Sequence, residues 1–224
     1  ALYINQDIFT SSGKSVPSSW DELRRTAYDL TRRDVDGRII QAGVSLGTTS
    51  NVDHWQDIVS LMMLQNGASL PNPDSKLASD AFSFFTIFTR TDKVWDETLP
   101  NSTLAFSKGK VAMYFAPSWR VQEIRKLNPN LSFRVVPVPQ LPKFSSSDSD
   151  VSLASYWVWG VSQKSKNKKT AWEFLKFLSE KETMVSLYSS GLNYPYSRVD
   201  MAEVFTDSYL SPYTAGLGFA KSSY

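Results

Sequence analysis

Short apolar runs alternate with amphipathic helical patterns along this chain, and that alternation confines it to the α/β class. The expected strands are Leu2 to Phe9 (running into a turn of helix), Ile39 to Leu46, Val111 to Phe115, Phe133 to Val138 and Tyr156 to Ser162. Between them fall helical stretches at Ser19 to Arg33, Trp55 to Asn66, Asp80 to Thr89, Ser102 to Lys108, Ser118 to Leu127, Lys168 to Ser179, Glu182 to Ser189 and around Met201 to Phe205. The first long helix is the best marked. Ser18 or Ser19 can cap it, Asp21 and Glu22 sit where the helix dipole favours acids, and Trp20, Leu23, Ala27 and Leu30 recur at helical spacing. Gly67 and Gly191 read as stops after helices, and the serine-rich stretch from Pro139 to Asp150 reads as a loop. In the Asp80 to Thr89 helix, Phe82, Phe84, Phe85 and Phe88 form an aromatic stripe that periodicity assigns to core packing. No internal repeat is visible.

The functional groups are unevenly supplied. Seven tryptophans, ten tyrosines and thirteen phenylalanines accompany one histidine and no cysteine. Disulfides, thiolate nucleophiles and cysteine metal sites are thereby excluded. A serine triad needs a histidine base, and His54 has no Gly-x-Ser-x-Gly elbow beside it. A glycosidase needs two facing carboxylates, and no acidic pair stands in such a motif. Asp34-Val35-Asp36-Gly37 resembles a calcium loop, but its register puts Arg32 and Gly43 at ligand positions, so it reads as a tight turn. Gly216-Leu217-Gly218 is too short to cradle a phosphate. No metal and no cofactor is therefore expected.

Charge narrows the partners. With 24 basic and 22 acidic residues the net charge is +2, too balanced for a nucleic-acid footprint. The basic run Lys164 to Lys169 reads as a solvated loop and helix start. No stretch approaches the roughly 20 apolar residues of a membrane span. Ala1-Leu2-Tyr3-Ile4 reads like the middle of a strand, and the expectation is a fragment or a chain trimmed at both ends. What remains is a binder. The cluster Ser155-Tyr156-Trp157-Val158-Trp159-Gly160 sets large flat rings beside small polar residues, a pairing suited to a sugar face.

Four stretches carry a family resemblance. Leu2 to Phe9 followed by Pro17-Ser18-Ser19-Trp20-Asp21-Glu22-Leu23 is one. Phe106-Ser107-Lys108-Gly109-Lys110-Val111-Ala112-Met113 followed by Ser118-Trp119 is the second. Val135-Val136-Pro137-Val138-Pro139 is the third, and the helix from Ser165 to Leu178 is the fourth. In this order and spacing they resemble the extracellular solute-binding proteins of ABC sugar importers, the family that includes maltose-binding protein. The Gly47 to Gly67 region adds weaker support.

The resemblance implies a type II periplasmic-binding-protein fold, with two α/β lobes joined by a hinge and ligand held between them. Residues 1–154 would form most of one lobe, 155–209 part of the other, and 210–224 the hinge return. The hinge would pass near Ser155 to Val158 and again near Leu210 to Tyr213. The protein would be an extracytoplasmic monomer, in the periplasm or as a cell-surface lipoprotein, passing a sugar to ABC permease subunits. Trp119 stands where the family places a cleft tryptophan, with Ser118 and Arg120 supporting exposure at a helix start. Tyr156 and Trp157 are expected at the cleft edge. Strand alternation would turn Trp159 toward the core. Tyr3 is a further cleft candidate, although this chain has Ile4 where the family often has a tyrosine before the asparagine. Asp53 and His54, with Asn51 beside them, are expected as hydrogen-bonding partners for hydroxyls at a helix start. Trp20, Trp95 and Trp172 are assigned to packing. The alternatives left open are the same fold with another cargo (a polyamine, phosphate ester or metal chelate), a glycan-binding sensor or adhesin and, more distantly, a glycoside hydrolase.

Overall fold

The computed structural model describes residues 1–143, 145, 148–190, 195–198, 200, 201 and 207–222. Its centre is a five-stranded sheet in the order β2-β3-β4-β1-β5. These strands are β1 (Leu2–Asn5), β2 (Arg32–Arg33), β3 (Ile39–Val44), β4 (Val111–Phe115) and β5 (Phe133–Val136). β1 runs antiparallel to both β4 and β5, whereas β3 and β4 are parallel. Every residue of β1 and β4 is buried. That is why their sequences read as unbroken apolar runs rather than alternating ones.

Helices cover the sheet. The first short helix, α1 (Gln6–Ser12), is capped by the Asn5 side chain and ends at Gly13 in the left-handed conformation. α2 (Trp20–Leu30) starts at Ser19 with the reciprocal Ser19–Glu22 capping box and buries Trp20, Leu23, Ala27 and Leu30. Trp20 stacks on Phe115 with ring centres 5.5 Å apart. α3 (Trp55–Gln65) follows the loop after β3 and contacts α4 (Lys76–Arg90). In α4 Phe85 and Phe88 are fully buried, whereas Phe82 is 43% exposed. On Tyr3 converge Phe106 of α5 (Ser102–Ser107) and Phe133, with ring centres at 6.1 and 5.9 Å. α6 (Arg120–Leu127) leaves the end of β4 through a short loop. The Asp34 to Arg38 segment is the expected tight turn: Asp34 accepts from the amides of Asp36 and Arg38 at 3.0 and 2.8 Å.

Beyond residue 150 the chain changes character. β6 (Ser152–Leu153) pairs in parallel with β7 (Ala220–Lys221), so outgoing and returning segments lie side by side. Between them come α7 (Lys168–Leu178), α8 (Lys181–Ser189) and α9 (Ser211–Ala215), none of which contains a fully buried residue. The expected strand from Tyr156 to Ser162 is absent. No described segment pairs with it, so no ladder imposes the alternation that was to hide Trp159, which is 83% exposed. Trp172, expected to pack, is 58% exposed on α7. Gly191, and the helix around Met201 to Phe205 past Met201 itself, lie outside the described residues.

One close approach fixes how α2 sits on the sheet. A Cβ at Gly43 would fall 1.8 Å from the Ala27 carbonyl oxygen, so only glycine lets helix and strand meet there. Gly43→Ala is expected to lower stability by about 1–3 kcal/mol or more, the usual range for overpacking. Urea denaturation checks this, and an unchanged midpoint would show that α2 can lift away at no cost.

Candidate functional site

A cleft of about 1770 Å³ opens between the end of the sheet and the segment beyond residue 150. The sheet side contributes His54, Asp57, Trp119 and Gln140. The opposite side contributes Tyr156, Trp157, Trp159 and Trp172.

The sheet-side wall is built around a strained residue. His54 caps α3 with φ 62°, a left-handed conformation uncommon for any residue bearing a Cβ. Its neighbours hold it there. The Asp53 carboxylate accepts from the Thr103 hydroxyl at 2.5 Å, the Thr103 amide at 3.0 Å and the Ser102 hydroxyl at 3.3 Å. The Asp53 amide donates to the Ser102 hydroxyl at 2.8 Å. Asp53 is thus tied to the start of α5. Burial raises the Asp53 carboxyl's proton affinity, but these hydrogen bonds and Arg120 outweigh it and hold its pKa below the usual value.

His54 is oriented in turn by α6. The Arg120 Nε–H donates to His54 Nε2 at 3.0 Å, which assigns the imidazole proton to Nδ1. Glu123 pairs with the same guanidinium. The imidazole also meets Trp119 edge to face, with ring centres 5.9 Å apart. Burial first, and the nearby Arg120 charge second, keep the His54 pKa below its ordinary value, so the ring is neutral near pH 7. Asp57 lies one turn along α3 from His54, on the same helical face, and lines the cleft. Burial pushes its carboxyl up, with His54 partly offsetting the effect.

Two expected contacts belong to the interior instead. Tyr3 is 0% exposed. Its hydroxyl donates to the Pro117 carbonyl at 2.8 Å, and the Tyr213 hydroxyl lies 3.0 Å from it. Because β1 is central and covered on both faces, no residue of it can turn toward the cleft. Asn51 has its full bonding capacity committed within the body. Its amide donates to the carbonyls of Asp96 and Leu99, both at 3.0 Å, and its oxygen accepts from Trp95 Nε1 at 2.9 Å and the Thr48 hydroxyl at 2.5 Å. Asp53 likewise acts by holding His54 rather than by facing the cleft. On the far wall, Tyr156 is exposed and Trp157 is 91% exposed. Asp57, Trp159 and Trp172 were missed as wall residues. The three-residue step from His54 was the available signal for Asp57, whereas Trp172 sat in an ordinary amphipathic pattern.

Among the described residues, no three His, Asp or Glu side chains gather in a metal-binding group, and no helix is long and apolar enough to cross a membrane.

Residues 1–185 match the family described as bacterial extracellular solute-binding protein, and the chain belongs to that family. A putative binding protein of Brucella abortus (strain 2308) is 25% identical over 190 residues, covering 81% of this chain and 44% of the relative. The chain thus spans less than half the length of that curated relative. An ABC transporter solute-binding protein of Thermotoga lettingae TMO, solved with α-D-tagatose, superimposes with a TM-score of 0.71 at 20% identity, over 97% of this chain and 55% of its own. The maltose/maltodextrin-binding domain of Bdellovibrio bacteriovorus, solved with maltotriose, gives 0.71 at 16% identity, over 99% and 58%. The α/β fold is that of the maltose-binding-protein-like solute-binding proteins.

The site generates a prediction about pH. Both His54 and Asp53 have folded-state pKa values below their unfolded ones, so the unfolded chain takes up protons first as pH falls. The stability that His54 contributes is present above about pH 6.5 and declines below it; that from Asp53 is present above about pH 4 and is lost at lower pH. His54→Gln is expected to flatten the upper part of the decline and Asp53→Asn the lower part. Urea midpoints measured from pH 3 to 8 check this, and an unaltered profile in His54→Gln would refute the neutral-imidazole assignment.

Proposed function

We propose that this chain belongs to an extracytoplasmic carbohydrate-binding protein that delivers an oligosaccharide to an ABC importer and does not turn it over. The observation that carries this is the cleft wall itself. Trp119 stands against His54 on one side, and Tyr156, Trp157, Trp159 and Trp172 line the other. Flat rings cover the C–H faces of sugar rings, and a few placed polar groups read the hydroxyls. At about 1770 Å³ the cleft exceeds the roughly 300–1,000 Å³ of a pocket for one drug-sized ligand, which suits several linked sugar units. The named ligands of the two related structures, tagatose and maltotriose, point the same way.

In this reading residues 1–154 form one lobe, 155–209 part of a second, and 210–224 the return. The β6–β7 pair is the crossing between them, a few residues from the expected hinge positions. Ligand touching both walls favours the closed arrangement by its differential affinity for closed over open, and permease subunits recognise that closed form. The protein works as a monomer in the periplasm or tethered at the cell surface.

Trp119→Ala is expected to weaken sugar binding about ten-fold or more, the scale of one lost ring burial, while leaving the melting temperature within a few degrees. A thermal-shift screen with sugars, polyamines and phosphate esters, followed by calorimetry on the hits, makes the check. Stabilisation by amines or phosphate esters alone would overturn the carbohydrate reading.

A further inference from the structure

The side chains charged at neutral pH that face the cleft are all of one sign. Its lining holds the carboxylates of Asp57 and Asp150 and, among the described residues, no lysine or arginine. The Ala1 amine also lines the cleft beside Asp57, but burial brings its pKa down to about 5, so it is largely uncharged near pH 7. Asp150 is neutralised by Lys143, with the ammonium 2.8 Å from its carboxylate. Arg120 is not among the lining residues, and its guanidinium is taken up by His54 and Glu123. Asp57 differs from both. It is partly buried, and no described residue donates a hydrogen bond to it or forms an ion pair with it. A partly desolvated carboxylate with nothing to accept from leaves strong hydrogen bonds unmade. It lines the space a ligand would fill, one helical turn from His54, whose ring meets Trp119.

Resting on the sugar reading above, we infer that Asp57 is a specificity-determining acceptor, which takes hydrogen bonds from a donor group of the bound saccharide and excludes acidic saccharides. The shared chemistry is a donor, either a hydroxyl pair or the ammonium of an amino sugar. A uronate or sugar phosphate placed there would set a second negative charge against one whose titratable neighbours, His54 and the Ala1 amine, are both held toward their neutral forms, in a cleft whose described lining has no lysine or arginine to receive it. Rejection of the wrong ligand thus comes from an unpaired charge and selection of the right one from the same atoms. Removing Asp57 should leave the fold intact, because it takes no hydrogen bond from the rest of the chain.

The experiment is calorimetry on wild type, Asp57→Asn and Asp57→Ala with a panel of neutral oligosaccharides, the same oligosaccharides bearing an amino sugar, and the same bearing a uronic acid. Wild type is expected to bind neutral or amine-bearing members and to bind uronates at least about ten-fold more weakly. Asp57→Ala should lose about ten- to one-hundred-fold in affinity for the preferred member, the scale of a hydrogen bond to a charged group. Asp57→Asn should erase most of the discrimination against uronates. Wild type binding uronates as tightly as neutral sugars, or Asp57→Asn keeping the full discrimination, overturns the role of Asp57 while leaving the sugar reading standing. Binding of no saccharide of any charge removes the sugar reading, and this inference with it.

Discussion

The cleft depends on where the chain turns after β4, and two tyrosine hydroxyls set that turn. Tyr3 donates to the Pro117 carbonyl at 2.8 Å, and the single proton of the Tyr213 hydroxyl has Ala116 O at 2.7 Å and Tyr3 at 3.0 Å as acceptors. The carbonyls belong to the loop that presents Trp119. Tyr3 comes from the middle of the sheet and Tyr213 from α9, just before the chain returns through β7. Sheet, the loop before Trp119 and the returning segment therefore meet at one buried polar knot. Burial keeps both phenols protonated far into the alkaline range, so the knot stays neutral at working pH.

A second constraint acts alongside. His54 occupies a backbone conformation costing on the order of 1–3 kcal/mol, and the Asp53 bonds to Thr103 and Ser102 are what hold it. The result is an imidazole aimed at Trp119 and a helix, α3, whose first turn brings Asp57 to the cleft. Rigid elements position the sheet-side wall. The opposing wall rests on α7, α8 and the unpaired segment around Trp157, where no residue is fully buried. The two sides thus differ in how firmly they are held, as the proposed opening and closing of the cleft would require.

Much of the sheet body was legible in the residues. The capping box at Ser19 and Glu22, the stripe on α2 and the strand Val111–Phe115 follow from local chemistry and periodicity, and the structure has them where the pattern put them. Failures came where a neighbour decides. The Tyr156 to Ser162 run is rich in β-formers, yet a strand needs a partner, and none is described. Tyr3 could not be assigned to core or cleft by alternation, because its strand is covered on both faces. Asn51 and Asp53 have the right chemistry for ligands but spend it on Trp95, Thr48, Thr103 and Ser102, groups distant in sequence. Trp172 shows the reverse: an amphipathic pattern promises a buried face, but burial also needs something to lie against it.

The distribution of indoles has an optical consequence. Trp95 is sealed in the interior and Trp20 nearly so, while Trp157 and Trp159 stand almost fully in solvent and Trp172 more than half. Indole emission shifts to shorter wavelength as water leaves the ring. The chain thus carries sealed indoles that would hold their colour and cleft-lining ones that would blue-shift were a guest to displace water from them, so the proposed occupancy would be readable from unlabelled protein.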